Sequence, residues 1–200
     1  MIAPALLASP KAFAAERFRV GLTTKDFGYL PLFVGARAGY FADEGLDLQW
    51  IVVRSNVTTS ALIAGELDVA ASAGSAMRTA ARGADLKAIF FPYYKCTFVL
   101  MGAPGIKTVQ DLKGKVIGNN APGNTTELAA KMVLEHYGLN PQKDVKFFLA
   151  GGAETAVLAM QQGLIQARPL NPDAAFLLKK KGFNVLSVLA DLGPWPWAGY

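Results

Sequence analysis

Cysteine and histidine are almost absent, since the 200-residue chain contains one of each. The single Cys96 rules out an internal disulfide, and its apolar, aromatic neighbours favour a small buried side chain over a reactive thiol. His136 falls near the end of a predicted helix, where a cation suits the helix dipole and a structural role is expected. Because no Cys or His pair has metal-ligand spacing, the sequence predicts neither a metal site nor a cofactor.

Long apolar segments and blocks of like charge are also missing. No run of about eighteen or more consecutive apolar residues occurs, which argues against a membrane-spanning helix. The formal net charge is +5, but the Lys and Arg residues are scattered and no nucleic-acid-binding motif is present. We therefore expect no nucleic-acid partner, while the mildly basic surface favours anionic small ligands.

Residues 1–15 are predicted to be a signal-peptide remnant. Ile2–Leu7 is a short apolar run, and Ala12-Phe13-Ala14 fits a signal peptidase site that is cut before Ala15. No basic segment precedes the apolar run, so the translation start is expected upstream of Met1. A poorly ordered native N-terminus is the alternative. The expectation that follows from a signal peptide is secretion to the periplasm.

Short β-type runs alternate with helical patterns along the rest of the chain. Strands are predicted at residues 18–23, 46–53, 67–71, 86–91, 115–119, 145–150, 164–168 and 184–189. Helices are predicted at residues 31–39, 58–64, 75–82, 125–137, 153–162 and 172–181. This order predicts an α/β protein with mainly parallel sheets and helices on both faces. Pro104-Gly105 interrupts the pattern, which then restarts.

The two halves of the pattern repeat each other. Ala64-Gly65-Glu66-Leu67 corresponds to Gln162-Gly163-Leu164-Ile165, and the two glycines lie 98 residues apart. This spacing is too long for a solenoid repeat and predicts two similar α/β lobes. We assign residues 16–102 to lobe 1 and residues 103–200 to lobe 2. Chance similarity between two α/β units is the alternative.

The loops that leave the predicted strands are rich in Gly, Ser, Thr and Asn. Ligands of open α/β sheets bind beyond the carboxyl ends of the strands, where helices begin. Free backbone N–H groups at helix starts attract negative charge. We therefore predict a small anionic solute in a cleft between the lobes. Asn124 and Glu127 also fit a capping box, so helix capping is the alternative for that loop.

Several motifs resemble one family of transport proteins. They are Tyr29–Phe33, Ala38–Phe41, Glu44–Leu46, Ala64–Val69, Val109–Gly118 and Ala174–Val185. Together they resemble the ABC transporter substrate-binding proteins of the nitrate/sulfonate/taurine type, which are related to thiamine-precursor-binding (NMT1/THI5-like) proteins.

The resemblance implies a type II periplasmic binding fold, hinge closure on a ligand, and delivery of the ligand to an ABC permease in the membrane. It also implies a monomer that is not an enzyme. The ligand contacts that the resemblance implies are Asp26, Phe27, Ser55, Asn56, Gly74, Ser75, Tyr93, Asn124, Thr125 and Glu154.

The chain departs from the family pattern at two points. Gln166 stands where family members usually have Asp, which weakens the repeat motif of lobe 2. Family members also continue well beyond the position of Tyr200 and return to lobe 1. The expectation is a truncated chain whose first lobe is incomplete.

Two other function classes stay open. One is an enzyme on the same fold, of the thiamine-pyrimidine synthase or sulfinate hydrolase type. The synthase needs a Cys and His cluster, and the hydrolase needs a Cys in the loop after the first strand, where this chain has Lys25. The other class is a ligand-sensing module fused to a signalling partner.

Overall fold

The computed structural model describes residues 15–25, 27–195 and 198–200. Residues 1–14 of the predicted signal-peptide remnant, and the predicted ligand contact Asp26, lie outside the described residues. In the part of the chain that is described, no helix combines the length and the apolarity needed to cross a membrane.

The first half of the chain forms a three-stranded parallel sheet. Its strands are β1 (Glu16–Leu22), β2 (Leu46–Val52) and β3 (Val69–Ala70), in the order β2-β1-β3. Its helices are α1 (Leu30–Arg37), α2 (Tyr40–Asp43), α3 (Ser55–Ile63) and α4 (Ala73–Ala80). Each of β1, β2 and β3 is followed by a helix, so the helix starts gather at one edge of the sheet.

The second half forms a five-stranded sheet. Its strands are β4 (Val99–Gly102), β5 (Val116–Asn119), β6 (Lys146–Leu149), β7 (Ala167–Leu170) and β8 (Asn184–Val188), in the order β6-β5-β7-β4-β8. Its helices are α5 (Thr125–His136), α6 (Ala153–Gln161) and α7 (Pro172–Lys180). Strands β5, β6 and β7 are parallel, whereas β4 runs antiparallel to both β7 and β8.

The repeat seen in the sequence reappears in the topology of the sheets. The parallel order β2-β1-β3 of the first sheet matches β6-β5-β7 of the second. Gly65 and Gly163, which follow α3 and α6, have φ angles of +72° and +74°. Only glycine adopts this left-handed conformation at little cost, which explains why both helices end there. The α/β class with two sheets is confirmed.

The strand predictions differ from the structure at three places. The strand predicted at residues 164–168 is observed as β7 (Ala167–Leu170), which begins three residues later. The predicted strand at residues 86–91 is wrong, because among the described residues this segment belongs to neither sheet. Its backbone bonds instead to Tyr200, through Ile89 N–Tyr200 O at 2.7 Å and Tyr200 N–Phe90 O at 2.9 Å. Strand β4 was not predicted. Because β4 pairs within the second sheet, it belongs with lobe 2 if the lobes follow the sheets. The division of the chain into two lobes remains a proposal.

The second sheet carries an apolar core on each face. Leu100, Ile117 and Leu134 lie in one cluster, and Met101 and Ile165 lie in the other. The smaller cluster on the first sheet includes the final side chain of the sequence together with residues of β1. The chain therefore passes from the first sheet to the second and back again.

The two segments that connect the sheets run side by side near Tyr94 and Trp195. Trp195 donates its backbone N–H to Tyr94 O at 3.1 Å. A pair of adjacent connecting segments is an arrangement that permits hinge motion between two lobes.

Candidate functional site

A cavity of about 70 Å³, here called the crevice, lies where the helix starts of the two sheets meet. Its lining residues are Thr23, Thr24, Tyr29, Ala71, Ser72, Ser75, Phe98, Asn120, Asn124, Thr125, Thr126, Ala153, Arg168, Pro169, Leu170, Asn171 and Ala198. A cavity needs roughly 10–15 Å³ to hold one water molecule. The crevice therefore has room for an inorganic anion or for the head group of an organic one.

Four helix N-termini converge on the crevice. Ser72, Asn124 and Asn171 are the N-cap residues of α4, α5 and α7, and Ala153 is the first residue of α6. The side chains of Ser72 and Asn171 accept no hydrogen bond from the backbone N–H groups of their helices. The N-cap of α6 is Gly152, which has no side chain. Each N-terminus carries a partial positive charge, so the crevice is electrostatically suited to an anion.

A buried hydrogen-bond network fixes the loop before α5. Asn124 Oδ1 accepts from Glu127 N at 3.0 Å and from Thr126 Oγ1 at 2.8 Å. The Glu127 carboxylate accepts from Asn119 Nδ2 at 2.8 Å and from Gly123 N at 3.1 Å. Asn124 therefore caps the helix as the capping-box alternative anticipated, although Glu127 reaches back to Gly123.

We expect the Glu127 carboxylate to make stability depend on pH. Burial opposes its ionisation, but hydrogen bonds from Lys131, Gly123 N and Asn119 outweigh burial, so its pKa is lowered. The unfolded chain, with a Glu pKa near 4.3, binds the proton more readily than the folded chain. This contribution is therefore present above about pH 4.3 and is lost as the pH falls through the lower folded pKa.

Glu127→Gln is expected to lower the free energy of unfolding by about 1–3 kcal/mol at pH 7, because charged hydrogen bonds are lost. Urea denaturation at pH 7 and at a series of acidic pH values measures this effect. The difference between the variant and the wild type should shrink on acidification. Glu135→Gln, which changes an exposed carboxylate on the same helix, is the matched control. A difference that stays constant with pH would contradict the role given to Glu127.

Arg78 joins the two sides of the crevice. Its Nη2 donates to Gly123 O at 2.9 Å and to Ser75 Oγ at 3.2 Å. Arg78 and Ser75 belong to α4 of the first half, whereas Gly123 precedes α5 of the second half. The contact therefore links the two halves of the chain beside two predicted site residues.

Three of the predicted ligand contacts line the crevice together: Ser75, Asn124 and Thr125. Gly74 lies in the first turn of α4 next to Ser75 but is not part of the lining. Ser55 and Asn56 begin α3, and the positions of their side chains lie outside what the structure describes.

The other described predicted contacts are not among the residues that line the crevice. Phe27 is 40% exposed, and its carbonyl oxygen accepts from Tyr93 OH at the long distance of 3.5 Å. Tyr93 packs against the core of the second sheet. Glu154 is an exposed residue in the first turn of α6, where an acidic side chain interacts favourably with the helix dipole.

Several lining residues were not predicted, and Arg168 and Asn171 are the most informative of them. Both are buried, with exposed fractions of 2% and 5%. The available signal was a charged residue with apolar neighbours, because Ala167 precedes Arg168, and Pro169 and Leu170 follow it. The structure shows that all four of these residues are buried. A charge at such a position requires a partner that sequence alone does not identify.

A second groove, of about 380 Å³, lies on another face of α4. Ala73, Ala76, Met77 and Ala80 contribute to its lining, together with Tyr200. This lining is mainly apolar and includes one helix start. The smaller crevice is the better candidate because polar groups and helix N-termini converge there.

Comparison with known proteins gives one family match. A model of the NMT1/THI5-like family matches residues 26–171. No curated protein matches the chain.

Among solved structures, a protein from Bordetella bronchiseptica RB50 is similar with a TM-score of 0.79 and 25% identity, over 92% of this chain and 62% of that one. The alkanesulfonate-binding protein SsuA from Xanthomonas axonopodis pv. citri, bound to MOPS, has a TM-score of 0.72 and 24% identity, over 90% and 64%. The periplasmic aliphatic sulphonate binding protein SsuA from Escherichia coli has a TM-score of 0.68 and 23% identity, over 92% and 60%. The chain thus spans 60–64% of the length of these proteins.

Proposed function

The chain belongs to the NMT1/THI5-like family, and on that premise we propose that it is the solute-binding component of an ABC importer. In this role it captures a small anionic solute outside the cytoplasm, in the periplasm, and delivers it to a permease in the membrane. It acts as a monomer, without nucleic acid, and it does not transform its ligand.

The observation that carries this proposal is the convergence of helix N-termini on a polar crevice between the two sheets. Ser75 approaches the crevice from the first sheet, whereas Asn124 and Thr125 approach it from the second. Backbone N–H groups at helix starts hold oxyanions by hydrogen bonds and by the helix dipole. No lining residue among those described is acidic, so the lining contains no carboxylate that would repel a negative charge.

Closure of the two lobes would retain the solute. The paired connections near Tyr94 and Trp195 provide the hinge, and the Arg78–Gly123 hydrogen bond joins the lobes beside the crevice. Ligand binding between lobes of this kind shifts the population toward the closed arrangement.

Sulfonates are the first solute class to examine, because two of the similar proteins are described as binding alkanesulfonates or aliphatic sulfonates. Nitrate, carboxylates and thiamine precursors are further members of the proposed range. The crevice volume of about 70 Å³ suits the head group of such a solute.

An enzyme of the sulfinate hydrolase type is the second candidate, and the chemistry of Cys96 weighs against it. Cys96 is fully buried, and burial raises its pKa to about 12. A thiol with that pKa is almost entirely protonated at neutral pH and is a poor nucleophile. Cys96 is also absent from the crevice lining.

A thermal-denaturation screen tests the proposed function. Ethanesulfonate, MOPS, nitrate, small carboxylates and pyrimidines are each added to the purified protein. An anion present at 100 times its dissociation constant should add about 2.7 kcal/mol of stability. For a chain of this size, that corresponds to a rise in Tm of roughly 5–10 °C.

Sodium chloride at matched ionic strength is the control for general salt effects. Stabilisation by cations alone, or equal stabilisation by every salt, would refute an anion-binding function.

A further inference from the structure

Arg168 lines the crevice next to the point where the pairing of β5 and β7 ends. Strands β5 and β7 pair only at Ile117 and Ala167. The β5–β7 register does not continue beyond Ala167, where Pro169 has no backbone N–H to donate to a ladder. The Arg168 side chain crosses the end of β5, with its Cδ 3.4 Å from the position that a Cβ on Gly118 would occupy.

The guanidinium of Arg168 has more donors than the protein has acceptors for it. Nη2 donates to Gly151 O at 2.9 Å, and Nη1 donates to Asn119 O at 3.4 Å. Nε is buried and has no hydrogen-bond partner. A guanidinium has five N–H bonds, so three of them have no acceptor within the described structure.

Nothing in the described protein neutralises this charge. Both acceptors are neutral carbonyl oxygens, and none of the ion pairs formed by described residues includes Arg168. Burial lowers the pKa of Arg168 to about 10, so the side chain remains charged at neutral pH. Buried charges in proteins are almost always paired, and the surrounding helix N-termini add further positive potential.

We propose that Arg168 is the counter-charge for an oxyanion head group, such as a sulfonate, phosphonate or carboxylate, of the solute bound in the crevice. This inference rests on the proposed solute-binding function and assigns a residue and a ligand chemistry to it. The planar guanidinium presents paired donors that match two oxygens of such a group. N–H groups at the starts of the surrounding helices bind the remaining oxygens.

A purely structural role is the competing explanation, because Arg168 also ties the ends of two strands together through Asn119 O and Gly151 O. The two roles differ in their effect on the ligand-free protein. A structural Arg168 stabilises the empty protein, whereas an uncompensated buried charge destabilises it until an anion binds.

The test compares Arg168→Gln and Arg168→Lys with the wild type by calorimetric titration and thermal denaturation. The probes are ethanesulfonate, ethylphosphonate and propionate, with ethanesulfonamide as a neutral probe of similar shape. Arg82→Gln removes the same charge from an exposed position and is the matched control.

Arg168→Gln is expected to weaken binding of each anion that the wild type binds by roughly 10- to 100-fold, the effect of losing a charged hydrogen-bond donor. Arg168→Lys retains the charge but lacks the planar guanidinium with its paired donors. Its affinity for the anions should therefore lie between those of Arg168→Gln and the wild type. Binding of ethanesulfonamide should change less than about threefold. Without ligand, the Tm of Arg168→Gln should equal or exceed that of the wild type, and Arg82→Gln should bind all probes normally.

Two results would overturn the assignment while leaving the proposed function intact. One is undiminished anion binding by Arg168→Gln. The other is a fall in the ligand-free Tm of Arg168→Gln together with an equal loss of affinity for the anionic and the neutral probes. That result would show that Arg168 has a structural role. If the wild type binds none of these anions, the assignment of Arg168 to a sulfonate, phosphonate or carboxylate fails, whereas the proposed function is decided by the broader thermal-denaturation screen.

Discussion

Replacing Leu100 with alanine should lower the free energy of unfolding by about 2–5 kcal/mol, the range found for buried leucines whose truncation leaves a cavity. Leu100 is fully buried at the centre of β4. There it lies between Pro169 of β7 and Ser187 of β8 in the antiparallel part of the second sheet. Because β4 joins β7 to β8, loss of packing at this position weakens the support of the strand that carries Arg168.

Urea denaturation of Leu100→Ala measures the loss, and Leu164→Ala is the control. Leu164 is 58% exposed, so its truncation should cost no more than about 0.5 kcal/mol. Equal losses for the two variants would mean that β4 does not occupy the core of the second sheet.

Gly118→Ala should lower the free energy of unfolding by about 1–3 kcal/mol and should change solute binding little. An added Cβ would overlap Ile165 Cδ1 and would lie 3.2 Å from Ala150 Cβ. Ile165 is fully buried, so it has little freedom to move away. Overpacking of a filled core typically carries a penalty of this size. The same Cβ would lie 3.4 Å from Arg168 Cδ, which is an ordinary van der Waals contact, so the guanidinium is expected to stay in place.

Gly105→Ala is the matched control, since an added Cβ there meets nothing within 4 Å and the backbone has no positive φ. Denaturation curves and titration with a sulfonate on both variants separate packing from general effects of the substitution. Normal stability in Gly118→Ala would contradict the close approach of Ile165 to β5.

The parts of the fold that follow from local pattern and repetition were predictable. Gly65 and Gly163 end equivalent helices because each adopts a left-handed conformation that favours glycine. This repetition predicted the two parallel βα units that the sheets contain. The pairing of β4 was not predictable in the same way. An apolar run does not identify its partner strand, and the antiparallel partners of β4 are β7 and β8, distant in sequence.

The residues of the candidate site were likewise predictable only where they follow from the local strand–helix pattern. Ser75, Asn124 and Thr125 were predicted because they lie at or near helix starts beyond strand ends, a position that the strand–helix pattern defines. Arg168 was missed because its contacts are with Asn119 O at the end of β5 and Gly151 O after β6, which come together only in the folded sheet. A single Arg in a sequence resembles a surface charge until its burial is known.

Diffraction from crystals grown with the most stabilising sulfonate would test this solute-capture account most directly. We predict density for the sulfonate group between the starts of α4, α5, α6 and α7, within hydrogen-bonding distance of Arg168. Density for the ligand only in the apolar groove beside Met77, or only on the outer surface, would refute capture between the two sheets.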